Sequence, residues 1–216
     1  LDCRLSNRVF DSVLVSHTEN IPSSLTFCNA SVGDDDVSVN LNYRDALQES
    51  DLRAYIVYRK RDDEAAFMLI DTITNLADSN YTDAQAVDAD AHSYCYQLAA
   101  MDRCSNVSPV TGQICTVVLE AQPLDYTSSL EWTPFTGWNT VSYDIWRGSP
   151  IDGGFPPAFL ISLPTSTLSF VDDDASNARL CYRIHAVSDG SGCADFSQSN
   201  EICINFPPTL YVPTAF

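Results

Sequence analysis

The sequence predicts an all-β chain made of two β-sandwiches in tandem. Three observations carry that expectation: apolar–polar alternation with period two, turn-forming clusters between the alternating runs, and a set of local patterns that occurs twice. Val37-Ser-Val-Asn-Leu-Asn-Tyr43 and Tyr94-Cys-Tyr-Gln-Leu-Ala99 alternate as half-buried strands do. Clusters of Asp, Ser, Asn, Gly and Pro separate such runs. No stretch of about 12 residues carries a helical apolar stripe.

The duplication is read directly. Tyr55-Ile-Val-Tyr-Arg-Lys60 returns as Tyr143-Asp-Ile-Trp-Arg-Gly148, and Ala66-Phe-Met-Leu-Ile70 as Ala158-Phe-Leu-Ile-Ser162. Asn80-Tyr-Thr-Asp83 returns as Ser169-Phe-Val-Asp172. Ser93-Tyr-Cys-Tyr-Gln-Leu-Ala-Ala100 returns as Arg179-Leu-Cys-Tyr-Arg-Ile-His-Ala186, and Ile114-Cys-Thr-Val117 as Ile202-Cys-Ile-Asn205. Five matches in one order, each displaced by roughly 90 positions, mean two copies of one structural unit. Units of that length with short strands and regular turns suit a β-sandwich.

Within each unit the strands follow in order. An aromatic marks the second strand, Tyr43 in the first unit and Trp132 in the second. Tyr-x-x-x-Arg marks the third, at Tyr55 to Arg59 and Tyr143 to Arg147. An aromatic-x-Asp step follows at Tyr81 to Asp83 and Phe170 to Asp172, and then the Cys-Tyr strand. This pattern resembles the fibronectin type III family over about residues 21–206, with Tyr43 where that family usually has Trp. The resemblance implies immunoglobulin-like sandwiches of seven strands, A to G. The expected division is 1–20 as the terminal strand of a preceding repeat or an extended first strand, 21–120 as the first domain, 121–206 as the second, and 207–216 as a proline-rich linker.

The cysteines are placed by the duplication. Cys95 matches Cys181, Cys104 matches Cys193 and Cys115 matches Cys203. Cys95 and Cys115 are symmetric about the loop joining strands F and G, as are Cys181 and Cys203. Residues symmetric about a hairpin face each other, and an antiparallel pair brings Cα atoms within disulfide reach. The expected bonds are Cys95–Cys115 and Cys181–Cys203. Cys3, Cys28, Cys104 and Cys193 allow three connectivities, of which Cys28–Cys104 is preferred because strand A starts near the F–G loop. Eight cysteines with no CxxC argue for disulfides in an oxidising compartment over redox or zinc chemistry.

Catalytic chemistry finds no foothold. HExxH, GxSxG, P-loop and GxGxxG motifs are absent. Of the three histidines, His185 sits in a strand F position where the first copy has Ala99, which reads as a strand residue and not a base. The chain is expected to be no enzyme, with no cofactor. Two acidic triplets remain, Asp34-Asp35-Asp36 before strand B and Asp172-Asp173-Asp174 after strand E. Calcium could draw oxygens from Asp34, Asp35, Asp36, Asp172, Asp173 and Asp174, but neither triplet has EF-hand spacing, so solvated turns are the preferred reading. Sequons at Asn29, Asn80 and Asn106 would matter only in a eukaryotic secreted protein.

Net charge is −18 and 45% of residues are hydrophobic. The charge repels a phosphate backbone, which excludes nucleic acid as an expected partner. No run of 18 apolar residues exists, so no membrane span is expected. At the end of the closing Ile204–Phe216 stretch, Val212-Pro-Thr-Ala-Phe216 resembles the first residues of a type B C-terminal sorting domain, with Thr214 in place of the usual Asn. The repeat idioms YIVYRK and SNEICINFPP resemble those of gliding-motility-associated, type IX secreted bacterial surface proteins. That resemblance implies a noncatalytic stalk of a large adhesin, presenting upstream adhesive regions at the bacterial surface. Its implied partners are the secretion machinery, through a following domain, and other surface proteins or glycans. The alternatives are spacers of a secreted polysaccharide-degrading enzyme and a eukaryotic cell-adhesion or receptor ectodomain.

Overall fold

The computed structural model describes residues 21–45, 49–124, 127–149, 158–173, 179–190 and 192–206. The expectations for 1–20, Cys3, Asp174 and 207–216 lie outside the described residues. Every regular element described is a strand, and no helix among these residues is long and apolar enough to cross a membrane.

The first unit holds β1 (Thr26–Val32), β2 (Val39–Arg44), β3 (Leu52–Arg61), β4 (Met68–Ile73), β5 (Asn80–Asp83), β6 (Tyr94–Asp102) and β7 (Ile114–Cys115). They form two antiparallel sheets, ordered β1-β2-β5 and β4-β3-β6-β7. In the family's letters these are A-B-E and C′-C-F-G. The second unit holds β8 (Leu119–Leu124), β9 (Thr127–Trp132), β10 (Thr140–Gly148), β11 (Ala158–Pro164), β12 (Ser169–Asp172), β13 (Arg179–Ser188), β14 (Phe196–Gln198) and β15 (Ile202–Asn205). Its sheets run β12-β9-β8 and β11-β10-β13, with both β14 and β15 pairing β13 as a divided strand G. Both units are therefore fibronectin type III-like sandwiches.

Alternation decides which face is buried. Along β2 the side chains are buried and exposed in strict turn, so Val39, Leu41 and Tyr43 enter the core. Tyr43 meets Tyr55 edge-on, with centroids 5.4 Å apart. Trp132 meets Tyr143 the same way at 5.8 Å in the second unit. Leu98 and Val57 complete one core, Ile145 and Ile184 the other. Phe135 and Trp138 pack against both clusters, so apolar contact runs from one unit into the next.

A buried carboxylate recurs at the end of strand E in each unit. Asp83, at the end of β5, accepts hydrogen bonds from Arg59 Nη1 at 2.8 Å and Tyr96 Oη at 2.9 Å. Asp172, at the end of β12, accepts from Arg147 Nη1 at 2.7 Å and Tyr182 Oη at 2.8 Å. Strands C, E and F each supply one member, which explains why Arg, Asp and Tyr recur together in the repeat. Burial, with the adjacent Asp83, pushes the Tyr96 phenol up, so it stays a donor.

Strand G departs from a regular ladder. In the first unit Thr111 N donates to Leu98 O, while Thr111 Oγ1 accepts from Leu98 N at 3.0 Å. In the second, Ser199 N donates to Ile184 O, while Ser199 Oγ accepts from Ile184 N at 2.9 Å. A side-chain hydroxyl replaces the missing carbonyl at equivalent points, so the backbone groups of buried strand F are still satisfied.

Candidate functional site

The most elaborate constellation of side chains lies in the seam between the two units. It begins with the turn joining β1 to β2. Gly33 N donates to Ser38 O at 2.8 Å, and Asp35 Oδ1 accepts from Ser38 Oγ at 2.7 Å and Ser38 N at 3.1 Å. These bonds tie Asp35 to its own turn. Asp36 adopts the left-handed conformation (φ 56°), which an aspartate tolerates better than most residues. The turn thereby directs Asp34 and Asp36 at the second unit.

Arg183, on β13, is the side chain they meet. It donates to Asp34 at 2.8 Å and to Glu201 at 3.3 Å, and lies 3.9 Å from Asp36. Asp36 Oδ1 also accepts from the backbone N of Glu201 at 2.8 Å. The hydrogen bond from Gln198, together with Arg183, holds the Asp34 carboxyl below the usual carboxylate range. Burial pushes Asp36 the other way, up to about 6, aided by the nearby carboxylates of Asp90 and Glu201.

Beyond that cluster the outer edges of β1 and β14 lie alongside each other. Asn29 Nδ2 donates to Phe196 O at 2.9 Å, and Ser197 Oγ donates to Ala30 O at 2.7 Å. Gln198 N donates to Ser31 Oγ, and Gln198 Nε2 to Val32 O. Side chains thus bridge two strand edges that would otherwise expose unpaired backbone groups. Trp138 Nε1 donates to Cys28 O at 3.1 Å. At the far side, fully buried Asn200 donates to Asp90 and to Leu119 O, and accepts from Leu119 N at 2.7 Å.

A disulfide closes the seam: Cys28 of β1 is bonded to Cys193 in the F–G loop of the second unit. This corrects the expected Cys28–Cys104 bond. Strand A of the first unit lies against the neighbouring unit's F–G loop, and Cys104 is itself disulfide-bonded elsewhere. The within-unit bonds are Cys95–Cys115 and Cys181–Cys203, each with Cα atoms 3.9 Å apart across directly paired residues.

The acidic candidates are dispersed by this arrangement. Asp34 and Asp36 meet Arg183 across the seam and Asp35 caps its own turn; Asp34 and Asp35 are exposed, as in a solvated turn, and Asp36 is half-buried. Asp172 belongs to the buried Arg147–Tyr182 set, and Asp173 is exposed. Among the described residues, potential metal-ligating atoms converge at Asp62, Asp63 and His92 and at the Cys181–Cys203 bond with Glu201, not at either triplet. Asp63 is already held by Arg61, and Asp62 by His92. Asn29 is buried in the seam, which removes its sequon as a glycan acceptor.

His185 belongs to a row of rings across the outer face of the second unit. It stacks on Phe196 with centroids 4.3 Å apart and packs on Trp146, which meets Phe159 edge-on. Burial, with Arg183 nearby, pushes His185 down to about 4, so it is a neutral ring at neutral pH. An open groove of about 620 Å³ runs beside Cys193, and among the described residues Arg44 is its one ionisable lining group.

Sequence reasoning missed Arg183, Gln198, Asn200 and Trp138. One signal was present. Cys28 has no counterpart in the second copy: it is the bulged residue between Phe27, opposite Tyr43, and Asn29, opposite Asn42, where the second copy passes from Leu119 to Glu120 without a bulge. A cysteine unmatched in a repeat is a candidate for a bond between copies.

No protein-family model and no curated protein matches the chain. Similar solved structures include chicken CNTN1 FN1-FN3 domains, at 14% identity over 86% of this chain and 68% of that one, with a TM-score of 0.38. A two fibronectin type-III domain segment from chicken tenascin is 14% identical over 85% of this chain and 97% of that one, with a TM-score of 0.31. Pectate lyase Pel3 from Pectobacterium carotovorum is 24% identical over 45% of this chain, with a TM-score of 0.35; the chain spans 29% of the lyase.

Proposed function

We propose that the tandem is a rigid, noncatalytic spacer that holds neighbouring regions of a larger secreted protein at a fixed distance and orientation. The observation that carries this reading is the closed seam, where edge strands, an arginine–carboxylate cluster and Cys28–Cys193 join the units side by side. Independent domains of a flexible string need no such seam, because inter-domain contacts in one chain are ordinarily small and mobile. Backbone ¹⁵N relaxation tests it directly. One rotational correlation time shared by both units is expected, and two shorter, independent times overturn the reading.

The wider setting is a bacterial cell surface. Disulfides persist in oxidising compartments, which supports secretion. On the resemblance of the closing residues, the tandem stands before a sorting domain read by the type IX machinery, within an adhesin whose upstream regions contact surface proteins or glycans. Deletion from residue 207 through the following domain in the native protein is expected to block export. Normal surface display of that deletion overturns the type IX assignment.

A further inference from the structure

We propose that Cys28–Cys193 is a force shunt: under tension applied through the chain ends, the load bypasses both cores, and the tandem neither lengthens nor unfolds as independent sandwiches would. The inference rests on the spacer reading and adds a mechanical function to it. Tension follows the shortest covalent path. Cys28 lies in the first strand of the first unit and Cys193 in the last hairpin loop of the second, 165 residues apart. Once force draws the chain taut, it passes from Cys28 to Cys193, and residues 29–192 hang in a closed loop that carries no tension.

The surrounding seam fits that role. Asn29 to Phe196 O, Ser197 to Ala30 O and Gln198 to Ser31 and Val32 O flank the disulfide along both strand edges. These bonds couple β1 to β14 beside the point where load crosses. Cys181–Cys203 closes a second covalent route from Cys193 to Cys203 through residues 181–192, longer than 194–203 and therefore slack while that stretch is taut. Beyond Cys193, residues 194–203 are the stretch of this region that can be peeled, worth about 35 Å when extended. Cys28 is the bulged residue of β1, and β8 runs from Leu119 to Glu120 without a bulge, so the second unit has no strand A position equivalent to Cys28.

Single-molecule force spectroscopy on the full chain, with handles at both ends, tests this. The oxidised chain is expected to show no step that releases residues 29–192. Dithiothreitol, added while force is held, closes to its cyclic disulfide as Cys28 and Cys193 become thiols. The reduced chain should then lengthen by up to roughly 550–600 Å, the extended length of 165 residues at about 3.3–3.6 Å each. In oxidising buffer, Cys28→Ala with Cys193→Ala should extend beyond the wild type by on the order of 100 Å or more, while keeping the other disulfides. Equal extension of oxidised and reduced wild type overturns the shunt. A single tumbling body that nonetheless extends fully when oxidised would overturn the shunt and leave the spacer reading standing. Two tumbling bodies with an inextensible chain would do the reverse.

Discussion

Asp83 is a carboxylate with no exposed surface, held by a guanidinium and a phenol. Such a set is costly to break, because truncating one member leaves the others buried without a partner. Asp83→Ala leaves the buried Tyr96 hydroxyl without its acceptor and Arg59 without its counter-charge, although Nη1 keeps its bond to Gln85 O. It should destabilise the first unit by about 3 kcal/mol or more, read by urea denaturation with the two units followed separately by NMR. A loss under about 1 kcal/mol would mean the set is interchangeable with water. Asp172→Ala removes the corresponding acceptor of Arg147 and Tyr182 in the second unit, where the Tyr182 hydroxyl still reaches Ser128 Oγ, so a smaller loss is expected. Arg, Asp and Tyr were legible in the sequence as repeated letters; that they converge on one oxygen-rich point was not, since they come from three strands.

At the scale of the element, strand G shows what alternation does not reveal. The sequence from Asn106 to Gln113 has no clean period, and most of it is not regular strand. The reason is local: Thr111 and Ser199 fill the ladder with their own hydroxyls, so the backbone need not remain extended. Thr111→Val keeps the shape and removes the acceptor for buried Leu98 N. A loss of roughly 1–3 kcal/mol is expected, with faster amide exchange at Leu98 as its specific mark. Unchanged exchange there would show that another acceptor takes over. The flanking hairpin bonds were predictable because Cys95 and Cys115 are 20 residues apart, and Cys181 and Cys203 22 apart, across one loop each.

For the whole molecule, the seam makes stability depend on pH. Asp36 is pushed up to about 6 by burial and by Asp90 and Glu201, against the pull of Arg183 and the Glu201 amide. Asp34 and His185 stand in the same neighbourhood, Asp34 held low and His185 neutral. A folded value above the unfolded one means the fold prefers the protonated acid. The stabilising preference is fully present below about pH 4 and is lost as pH rises toward 6. Asp36→Asn keeps an oxygen for Glu201 N and suits the left-handed turn. It should raise the melting temperature at pH 7 by about 2–4 °C, the shift that roughly 1 kcal/mol produces in a chain of this size. The gain should shrink to the turn's own contribution at pH 4. An equal gain at both pH values would assign the effect to the turn and not to the buried charge.

The sequence by itself determined the strands, the two units and the disulfides inside them. Each follows from period, repetition or symmetry about a short loop, which are relations between near neighbours. It left the seam undetermined. Cys28 with Cys193, Asp34 with Arg183 and Asn29 with Phe196 are separated by 165, 149 and 167 positions, and no periodicity links such residues. Cys104 stood as a nearer partner for Cys28 and was the wrong one. Two sandwiches of the same kind can sit end to end or side by side with identical strands inside them. What decided between these was the fit of one exposed edge, β1, against another, β14, a property of two folded surfaces that exists only once both have formed.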